Sequence, residues 1–573
     1  MNSELLDNLR HSCAHLLAKA VLDLWPGSHN AIGPAIENGF YQDFDMGNVK
    51  VSEADLPKIE KEMRDILKGW THFEYKEVNL QEARELFAHN PYKIELLEEF
   101  AKDGKKLLTN NPGGFLDLCK MTHVENPNKE MQHFKLLSIA GAYWRGSEKN
   151  KMLTRIYGTI WPSQEELDHH LQQLAEAEKR DNRKLGKELE LYTISSSVGP
   201  GLILWLPKGT VLREELEKLG KEVENKYEYQ RVTTPHIGKE ELYITSGHLP
   251  YYAADMWPPM EYEGQKYYGK PMNCPHMHMI YKFKPRSYKD LPIRYAEFGT
   301  VYRHEDSGTL TGLLRVRGHT TNDAHIYCSK EHVVSEIVKI MKMHSYYYDL
   351  FGIKDYYVEL ALPDFQKKAD KYFADPRGWK QAIDLLRQAA KQINIKVVEK
   401  EGSAAFYGPK FDFNIKSVTG REFGASTNQL DFGSGKRFHL TYIDKDGLEK
   451  IIPYVIHRAP LGSEERFIGF LIEHYAGAFP TWLAPVQTVV MPISDKHQEY
   501  AQKVVEQLKE AGVRVELNDK NEPLNARIRD AEMQKIPYIL VVGDKEIEGN
   551  TISIRHRHSR NTQTHPVNDL LST

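Results

Sequence analysis

Hydrophobic residues follow two patterns along the chain, divided at the segment Phe479–Pro485. Beyond it, short apolar runs alternate with stretches of helical length, and Gly512 ends the first of these stretches. This alternation predicts a small, mostly parallel α/β domain of about 90 residues. The predicted strands are VQTVVMPI, VRVELN and YILVVG, and the predicted helices are Lys496–Glu510 and Leu524–Lys535.

The block before this division has longer β-prone runs with helices between them. Four of these runs are KFDFNIKSV, QLDFGS, RFHLTYID and KIIPYVIH. They predict a large antiparallel β-sheet flanked by helices, an architecture different from that of the C-terminal domain.

A densely charged helix precedes this block. Pro162 comes before a capping box formed by Ser163 and Glu166, which predicts where the helix begins. Leucines then recur at helical spacing: Leu167, Leu171 and Leu174. The residues that follow, up to Tyr192, carry many charges of both signs and predict a solvated connector that packs lightly.

The length of 573 residues exceeds what one hydrophobic core fills, so three or four domains are expected. The patterns give the domain ranges 1–161, 162–192, 193–482 and 483–573.

No apolar run approaches the roughly 18 residues of a membrane helix, and the N-terminus carries acids where a signal peptide needs bases. Four scattered cysteines without a CxxC pair argue against a disulfide scaffold. We therefore expect a cytoplasmic protein.

Composition adds little about the partners. Hydrophobic residues make up 40% of the chain and charged residues 27%, as in ordinary water-soluble proteins. The net charge of −4 gives no indication of nucleic-acid binding, but it averages over domains and can conceal a local basic face.

The segment Phe298–Cys328 carries the clearest chemical signal. Arg303 and Glu305 lie two positions apart, ahead of a turn-rich loop and a return strand that carries Arg315 and Arg317. An arginine fork directed at a phosphate or carboxylate, beside an acceptor for an adenine amino group, suits nucleotidyl transfer to a carboxylic acid.

This segment resembles motif 2 of class II aminoacyl-tRNA synthetases, and GSEERF at Gly462–Phe467 resembles their motif 3. Nearly every segment is similar to the bacterial threonyl-tRNA synthetases, without their N-terminal ubiquitin-like domain because His11 lies almost at the start. The resemblance implies a multidomain α+β and α/β protein. It would comprise an α+β editing domain, a linker helix, a catalytic core on an antiparallel sheet and a C-terminal α/β anticodon-binding domain. The implied activity is ligation of L-threonine to tRNA(Thr) with ATP and Mg²⁺.

The resemblance assigns the activation chemistry to charged residues. Arg303 would bridge the amino-acid carboxylate and the α-phosphate, Glu305 would accept from the adenine amino group, and Arg466 would hold the far phosphates. Arg315 and Lys410 match positions near the phosphates. The alternative for each arginine alone is an ordinary surface ion pair.

Some neighbouring residues depart from the family pattern. His319 and Thr321 stand where an aromatic residue and Gln are usual, so His319 would have to stack on adenine. Gly424 and Ala425 stand where Gln and Cys are common. These departures leave ATP affinity and fine side-chain contacts open. His248 matches a histidine near the tRNA acceptor end, with either a proton-accepting or a positioning role.

Cys274, His325 and His457 match the zinc ligands of the family, although their spacing alone carries no metal signal. One zinc ion with an open coordination position would take the amino group and β-hydroxyl of threonine, which valine cannot supply. Asp323 would accept from the same hydroxyl. Other matches to the amino-acid pocket are Met272, Tyr407 and Gln429.

Serine keeps the hydroxyl, so a second, hydrolytic site is expected. His11 and His15 share one helical face, and Cys119 with His123 forms a second such pair. This set resembles the family's editing domain, which implies water-mediated hydrolysis of Ser-tRNA(Thr) without a tightly held metal. A zinc site and a degenerate domain remain the alternatives. Two further residues fall on family positions: Lys93 and Asp117.

The remaining matches concern RNA and assembly. Asn521, Glu546 and Arg555 match positions that would contact anticodon bases. Glu222–Pro235 matches motif 1, which implies a homodimer, although a simple helix–strand unit with an edge proline fits as well.

Three other functions compete with the threonine ligase. A free-standing editing hydrolase would lack motifs 2 and 3. A non-catalytic or altered-specificity tRNA-binding paralogue would lose motif arginines or zinc ligands, all of which this chain retains. A prolyl or seryl synthetase would not combine this ligand triad with an HxxxH editing domain.

Overall fold

The structure is a computed structural model that describes residues 3–119, 123–366, 371–417, 420, 422–557, 559 and 561–566. It divides into two compact units, Met1–Leu174 and Ala175–Thr573. The division lies inside the predicted connector, 162–192. In the described part of the chain, no helix combines the length and apolar character that crossing a membrane requires.

The first unit is an α+β arrangement in which a long helix packs against an antiparallel sheet. Its helices are α1 (Ser3–Leu24), α2 (Leu56–Leu67), α3 (Leu80–Leu86), α4 (Pro91–Lys102) and α5 (Pro127–Glu130). Its strands are β1 (His29–Asn30), β2 (Ala35–Ile36), β3 (Gly39–Asp45), β4 (Glu74–Val78), β5 (Leu107–Asn111), β6 (Asp117–Leu118), β7 (Phe134–Tyr143) and β8 (Met152–Ile160).

Two sheets organise this unit. The larger has the order β1-β3-β8-β7, with β2 paired to β3, and the smaller has the order β4-β5-β6. Leu16, Leu17 and Val21 of α1 pack in one core with Phe40 and Phe44 of β3. Because α1 buries this face, the histidines on another of its faces are held in fixed positions.

Two helices follow where the sequence predicted one. The first, α6 (Gln164–Arg180), begins as expected, since the Glu166 N–H donates to the Ser163 hydroxyl at 3.2 Å. The chain breaks at Asp181 and continues as α7 (Asn182–Glu188).

The second helix is not a solvated connector. Asn182 donates through Nδ2 to the Glu473 carboxylate at 2.7 Å, and both groups are buried. The leucines near its end join the core of the second unit: Leu185, Leu189 and Leu191. The prediction of light packing is therefore wrong beyond Arg180, because the charged run conceals these core positions.

The second unit begins with the elements of the central block. Its helices are α8 (Pro207–Lys226), α9 (Glu240–Ser246), α10 (His248–Tyr251), α11 (Cys274–Tyr281), α12 (Lys330–Leu350), α13 (Pro376–Gln392), α14 (Ser434–Arg437) and α15 (Glu464–His474). Its strands are β9 (Tyr192–Thr193), β10 (Leu204–Trp205), β11 (Gln230–Arg231), β12 (Ile237–Lys239), β13 (Met260–Tyr262), β14 (Gln265–Gly269), β15 (Ile293–Tyr302), β16 (Gly318–Cys328), β17 (Tyr356–Leu362), β18 (Val397–Glu401), β19 (Lys410–Lys416), β20 (Glu422–Asp431), β21 (Thr441–Ile443), β22 (Glu449–Ile451) and β23 (Tyr454–Ala459).

The central sheet has eight strands in the described residues, in the order β11-β15-β16-β23-β20-β19-β17-β18. The outer pairs β11–β15 and β17–β18 are parallel, and all other pairs are antiparallel. Residues of α8, α12, α13 and α15 pack on one face, against side chains such as Ala324, Ile326 and Ile456. Because strand residues alternate between faces, Asp323, His325 and His457 lie on the other face.

Two details of the central block differ from the sequence prediction. The run RFHLTYID contributes no strand to the large sheet, since within the described residues Thr441–Ile443 pairs with β22 and, through one isolated bridge at Ile443, with Ser287. Arg315 and Arg317 precede the return strand, which begins at Gly318. These arginines therefore lie in a loop, and their side chains need not alternate between the two faces of a sheet as strand residues do.

The C-terminal part of the unit contains β24 (Thr488–Pro492), α16 (Gln498–Glu510), β25 (Val515–Leu517), α17 (Leu524–Met533), β26 (Tyr538–Val542), α18 (Asp544–Gly549), β27 (Thr551–His556) and β28 (Thr562–Pro566). The sheet order is β25-β24-β26-β27-β28. The first three strands are parallel, as the sequence predicts, and β27 and β28 add an antiparallel hairpin that it does not.

Candidate active sites

A cavity of about 400 Å³ forms where the loop 303–317 meets the first turn of α15. Arg303 enters it directly after β15, and Arg466 enters it from α15. Ser463 caps this helix by accepting from the Arg466 N–H at 3.4 Å. Other residues singled out from the sequence also line the cavity: Glu305, Arg315, His319, Thr321, Lys410, Gly424, Ala425 and Gln429.

Among the residues that the structure describes, no carboxylate pairs with Arg466 in this cavity. Arg466 donates through Nε to the Leu314 carbonyl at 3.1 Å and through Nη1 to the Gly424 carbonyl at 3.3 Å. Burial and the nearby charges of Arg303 and Arg315 lower the pKa of Arg466. Three guanidinium groups in one cavity repel one another, and an entering anion would relieve that repulsion.

Two other cations of the cavity are already paired. Arg315 donates through Nε to Glu305 at 2.8 Å, and Lys410 donates to Asp412. Burial, together with the arginines, holds the pKa of His319 well below its usual value, so the ring is neutral. A neutral ring can stack on a planar ligand without adding to the positive charge.

Cys274, His325 and His457 converge on the cavity face of the sheet, with their ligand atoms within 4.8 Å of one another. Cys274 is the first residue of α11, and the two histidines are register partners on β16 and β23. All three are buried. The pairing of distant strands therefore supplies the proximity that the sequence spacing lacks.

The polar atoms of this triad are poorly satisfied. Both ring nitrogens of His325 are buried without a hydrogen-bond partner among the described residues. His457 donates a hydrogen bond through Nε2 to Asp431 at 3.1 Å. Its Nδ1 therefore carries the lone pair that can bind a cation. Burial raises the pKa of the Cys274 thiol, and Asp323 and Asp431 raise it further. A bound cation would satisfy His325 and stabilise the thiolate.

A smaller cavity of about 140 Å³ adjoins the triad and shares Arg303, Thr321 and Gln429 with the larger one. Asn273 donates to Asp323 Oδ2 at 3.0 Å. The remaining pocket residues named from the sequence also line it: Met272 and Tyr407, whose hydroxyl donates to Gln429. The two cavities form one site with a small end near the triad and a large, positively charged end.

His248 lies at the edge of this site. Its Nε2 is 3.0 Å from the Met272 sulfur, and its Nδ1 is 2.7 Å from the Ser246 hydroxyl. Burial, with the charge of Arg303, lowers the pKa of His248 to about 4. The imidazole is therefore neutral at physiological pH and can accept a proton.

A second cluster lies in the first unit. His11 and His15 of α1 meet Cys119 and His123, with ligand atoms within 4.8 Å of one another. Cys119 follows β6 directly. Residues 120–122, which separate Cys119 from His123 in the chain, lie outside the described residues. Unlike His325, the members bond to one another, since the Cys119 sulfur is 2.9 Å from His11 Nε2 and 3.2 Å from His15 Nε2.

Asp117 joins this cluster to a buried lysine. Its Oδ1 is 2.6 Å from Lys93 Nζ, and its Oδ2 accepts from His15 Nδ1 at 3.0 Å. Although burial opposes it, the surrounding Cys119 and Asp117 raise the pKa of His15 to about 9. Burial and the neighbouring histidines lower the pKa of His123 to about 2. The cluster thus holds one cationic and one neutral imidazole side by side.

Several residues of the two sites escaped the sequence analysis. Asn30 donates to Asp117 at 3.1 Å, and Tyr75 contacts His123 Nδ1 at 2.8 Å. Asp431, the partner of His457, had a visible signal, because it is a lone carboxylate inside the β-prone run QLDFGS. Asn30 and Tyr75 lie in segments without any such signal.

The structure does not bring the three anticodon candidates into mutual contact. Glu546 accepts from the Ser553 hydroxyl at 2.7 Å, and Arg555 pairs with Glu532. Asn521 lies in the loop before α17. Glu546 and Arg555 are each held by a neighbour in the C-terminal part of the unit.

Residues 259–475, which carry most of the antiparallel sheet and the arginines of the cavity, match the family described as tRNA synthetase class II core domain (G, H, P, S and T). The fold and the site are therefore those of a class II aminoacyl-tRNA synthetase core. Residues 487–573 match the anticodon binding domain, and residues 110–157 match the threonyl and alanyl tRNA synthetase second additional domain. The predicted fold class is confirmed.

Relatives that match nearly the whole chain identify the family within this class. The threonine–tRNA ligase of Deinococcus radiodurans is 46% identical over 97% of this chain and 86% of that protein. That of Thermus thermophilus is 47% identical over the same shares. A structure described as the RNA binding domain of threonyl-tRNA synthetase from Cryptosporidium parvum Iowa II has a TM-score of 0.65 at 33% identity, covering 68% of this chain and 97% of that chain.

The chain belongs to the threonine–tRNA ligase family. The resemblance drawn from the motifs is confirmed, and so is the prediction of a ligase rather than a free-standing hydrolase or a non-catalytic paralogue.

Proposed function

We propose that the protein activates L-threonine with ATP, transfers it to tRNA(Thr) and hydrolyses mischarged Ser-tRNA(Thr) in its first unit. One observation carries the proposal. Cys274 and His457 of the buried triad line the small end of the site, which shares Arg303 with the larger, positively charged end. A small polar amino acid and a nucleoside triphosphate would therefore meet at Arg303.

Cys274, His325 and His457 would hold one zinc ion per subunit. Three observations support the fit: the two unsatisfied ring nitrogens of His325, the buried thiol, and the Asp431 carboxylate behind His457. A histidine ligand backed by a carboxylate is the common arrangement around protein-bound zinc. When bound, zinc with an open coordination position would supply a site for the amino group and β-hydroxyl of threonine.

The surrounding side chains would complete threonine selection. Asp323, held by Asn273, accepts from the β-hydroxyl, and Met272, Tyr407 and Gln429 line the rest of the pocket. Valine has a methyl group in place of that hydroxyl and would leave the Asp323 acceptor unpaired. Buried polar groups without partners discriminate far more strongly than a change of one methyl group.

The arginines would position and neutralise the ATP phosphates. Arg303 would bridge the threonine carboxylate and the α-phosphate, and Arg466 would take the far phosphates, while Mg²⁺ bound with ATP would supply further neutralisation of the phosphate charge. Arg315 and Lys410 line the same cavity, while Glu305 reads the adenine amino group and His319 stacks on the ring. His248, neutral at physiological pH, would accept or orient the terminal ribose hydroxyl of the tRNA.

The first unit would edit without a tightly bound metal. His15 donates through Nδ1 to Asp117, a carboxylate that also pairs with Lys93. Cys119 already contacts three histidines of the cluster, His11, His15 and His123. In this proposal the cluster orients a water molecule for hydrolysis instead of holding a metal ion, with Lys93 and Asp117 fixing the charge.

The proposal also assigns residues to contacts with the tRNA and to contacts between subunits. Asn521, Glu546 and Arg555 would contact the anticodon loop, and Glu222–Pro235 would form the interface of a homodimer. The cytoplasmic location remains a prediction from the sequence.

ATP–pyrophosphate exchange with threonine, valine and serine, on samples of known zinc content, tests the proposal. We expect exchange with threonine, weaker exchange with serine and none above background with valine. Cys274→Ser should lose both zinc and exchange. Cys328→Ser, the same change at another buried cysteine outside the triad, should keep both. Wild-type exchange by zinc-free Cys274→Ser would contradict the assignment.

A further inference from the structure

A buried charged group lies on the reverse face of the sheet, directly behind the amino-acid pocket. It comprises Glu224 near the end of α8, Asn322 of β16 and Arg458 of β23, exposed by 1%, 0% and 1%. Asn322 precedes Asp323 in the chain, and Arg458 follows His457. Because neighbours along a strand face opposite sides, the side chains of Asn322 and Arg458 lie behind Asp323 and His457, and Arg458 also forms part of the lining of the smaller cavity.

One carboxylate oxygen ties the two strands together. Glu224 Oε1 accepts from Arg458 Nη2 at 2.8 Å and from Asn322 Nδ2 at 2.9 Å. The Arg458 guanidinium also lies over the Tyr229 ring, 4.3 Å from its centroid. The second oxygen of Glu224 accepts from Arg231. The end of α8 and the chain after it thus hold β16 and β23 from behind.

Stability alone does not account for this arrangement. Burying two charges carries a large desolvation cost, and apolar groups of similar volume often replace a buried ion pair without loss of stability. The geometry offers another account. The shared oxygen fixes the relative position of the strands that carry Asp323, His325 and His457, at the point where a displacement of about 1 Å costs binding and rate.

We propose that Glu224, Asn322 and Arg458 are positioning residues that set threonine recognition by fixing the pocket strands from behind. The inference rests on the proposed threonine activation. Glu224 also lies in the segment Glu222–Pro235, so the same contacts connect the proposed subunit interface to the amino-acid pocket. Their loss should therefore affect the small end of the site and spare the ATP end.

The chain offers a matched control in the same sheet. Arg294 of β15 donates to Glu336 of α12 at 2.6 and 2.8 Å, and their side chains are 9% and 3% exposed. Neither residue lines either cavity. This pair has the same chemistry and comparable burial, but it stands behind no pocket residue.

The test compares Glu224→Gln and the apolar variant Glu224→Leu/Asn322→Leu/Arg458→Met with the control Arg294→Met/Glu336→Leu. Thermal unfolding, zinc affinity and the KM values for threonine and ATP in pyrophosphate exchange are measured on each. We expect the apolar variant to fold, with KM for threonine raised about tenfold or more, zinc bound about tenfold more weakly, and KM for ATP within about twofold of wild type. In the control variant, zinc affinity and the KM values for threonine and ATP should be unchanged.

Two results would overturn the inference. One is a folded apolar variant with wild-type zinc affinity and wild-type KM for threonine, even if Glu224→Gln fails to fold. The other is an equal rise in KM for threonine in the control, which would indicate a general loosening of the sheet. A wild-type protein that shows no threonine-dependent exchange would instead remove the proposed function, and this inference with it.

Discussion

His325 and His457 are register partners on neighbouring antiparallel strands, with their ring centroids 4.5 Å apart and their planes at 76°. His325 has no hydrogen-bond partner within the described chain, whereas His457 donates to Asp431. A buried imidazole without partners lowers stability, unless a ligand satisfies it.

This asymmetry predicts opposite effects of His325→Leu on stability in the absence and in the presence of zinc. In EDTA, the variant should unfold at the same temperature as the wild type or a higher one, because an apolar side chain replaces an unsatisfied polar one. With zinc present, the wild type should gain stability and the variant should not. Thermal unfolding with and without zinc measures both effects. His344→Leu provides the control, since His344 donates to Asn428 at 2.7 Å. It should lose stability and keep the zinc response, and a zinc response in His325→Leu would argue against the site.

Asp117→Asn tests the second cluster. Asp117 accepts from His15 and pairs with Lys93, so its loss should lower the pKa of His15 and leave a buried lysine unpaired. Deacylation of Ser-tRNA(Thr) should fall by about 100-fold, the usual contribution of a placed acid–base group. Aminoacylation with threonine should be unchanged, because its residues lie in the other unit.

The control for this experiment is Asp43→Asn. Asp43 is a buried aspartate of the same unit, and it pairs with Arg155 at 2.6 Å, apart from the cluster. We expect Asp43→Asn to destabilise the unit while folded protein keeps its deacylation rate. An equal loss of deacylation in both variants would indicate unfolding of the unit rather than a role for Asp117.

The sequence predicts those parts of the fold that depend on local patterns. The strand–helix alternation after Phe479–Pro485 gives three strands and two helices whose observed bounds lie within a few residues. The sequence does not predict the hairpin β27–β28, because only Ile552 and Ile554 alternate with polar residues and the rest of ISIRHRHSRNTQTH is polar and charged. The sequence does not predict the break between α6 and α7 at Asp181, because this N-cap residue is one of many charged residues in the segment.

The convergence of the cysteine and the two histidines of the larger site could not be predicted from local spacing. Their proximity comes from the register of β16 against β23, and register depends on long-range pairing that short windows do not contain. Only the resemblance of the flanking segments pointed to Cys274, His325 and His457 together. The carboxylate behind His457 was available as an isolated Asp431 in an apolar run, but no local rule assigns it a partner.

Arg466→Gln tests the charge of the larger cavity. Burial and the neighbouring Arg303 and Arg315 lower the pKa of Arg466, which means that the cationic form is disfavoured in the free protein. The variant without ligand should therefore be as stable as wild type or slightly more stable. ATP with Mg²⁺ should raise the unfolding temperature of the wild type by several degrees and that of the variant much less. Arg387→Gln, which removes an exposed pair with Glu399, should keep the full ATP response. An unchanged ATP response in Arg466→Gln would exclude a phosphate contact.

His344 should make the sheet sensitive to acid. It is fully buried, donates to Asn428 and stacks on Phe413 with centroids 4.2 Å apart. Burial, with the charge of Arg458, lowers the pKa of His344 to about 3 from an ordinary value of 6.5. Between these two pH values the unfolded chain binds a proton that the folded chain does not. The free energy of unfolding therefore falls as pH drops from 6.5 towards 3, by up to about 1.4 kcal/mol per pH unit for this group.

His344→Gln keeps a donor for Asn428 and removes the titration. Native-state hydrogen exchange of the β20 amides, corrected for intrinsic rates, reports the opening free energy of this sheet at each pH. Below pH 6.5 the slope of that free energy against pH should be shallower by about one proton in the variant than in the wild type. Above pH 7 the two curves should run parallel. The exposed His169→Gln should leave the slope unchanged. Parallel curves for wild type and His344→Gln down to pH 4 would show that this histidine takes up its proton in the folded protein as readily as in the unfolded chain.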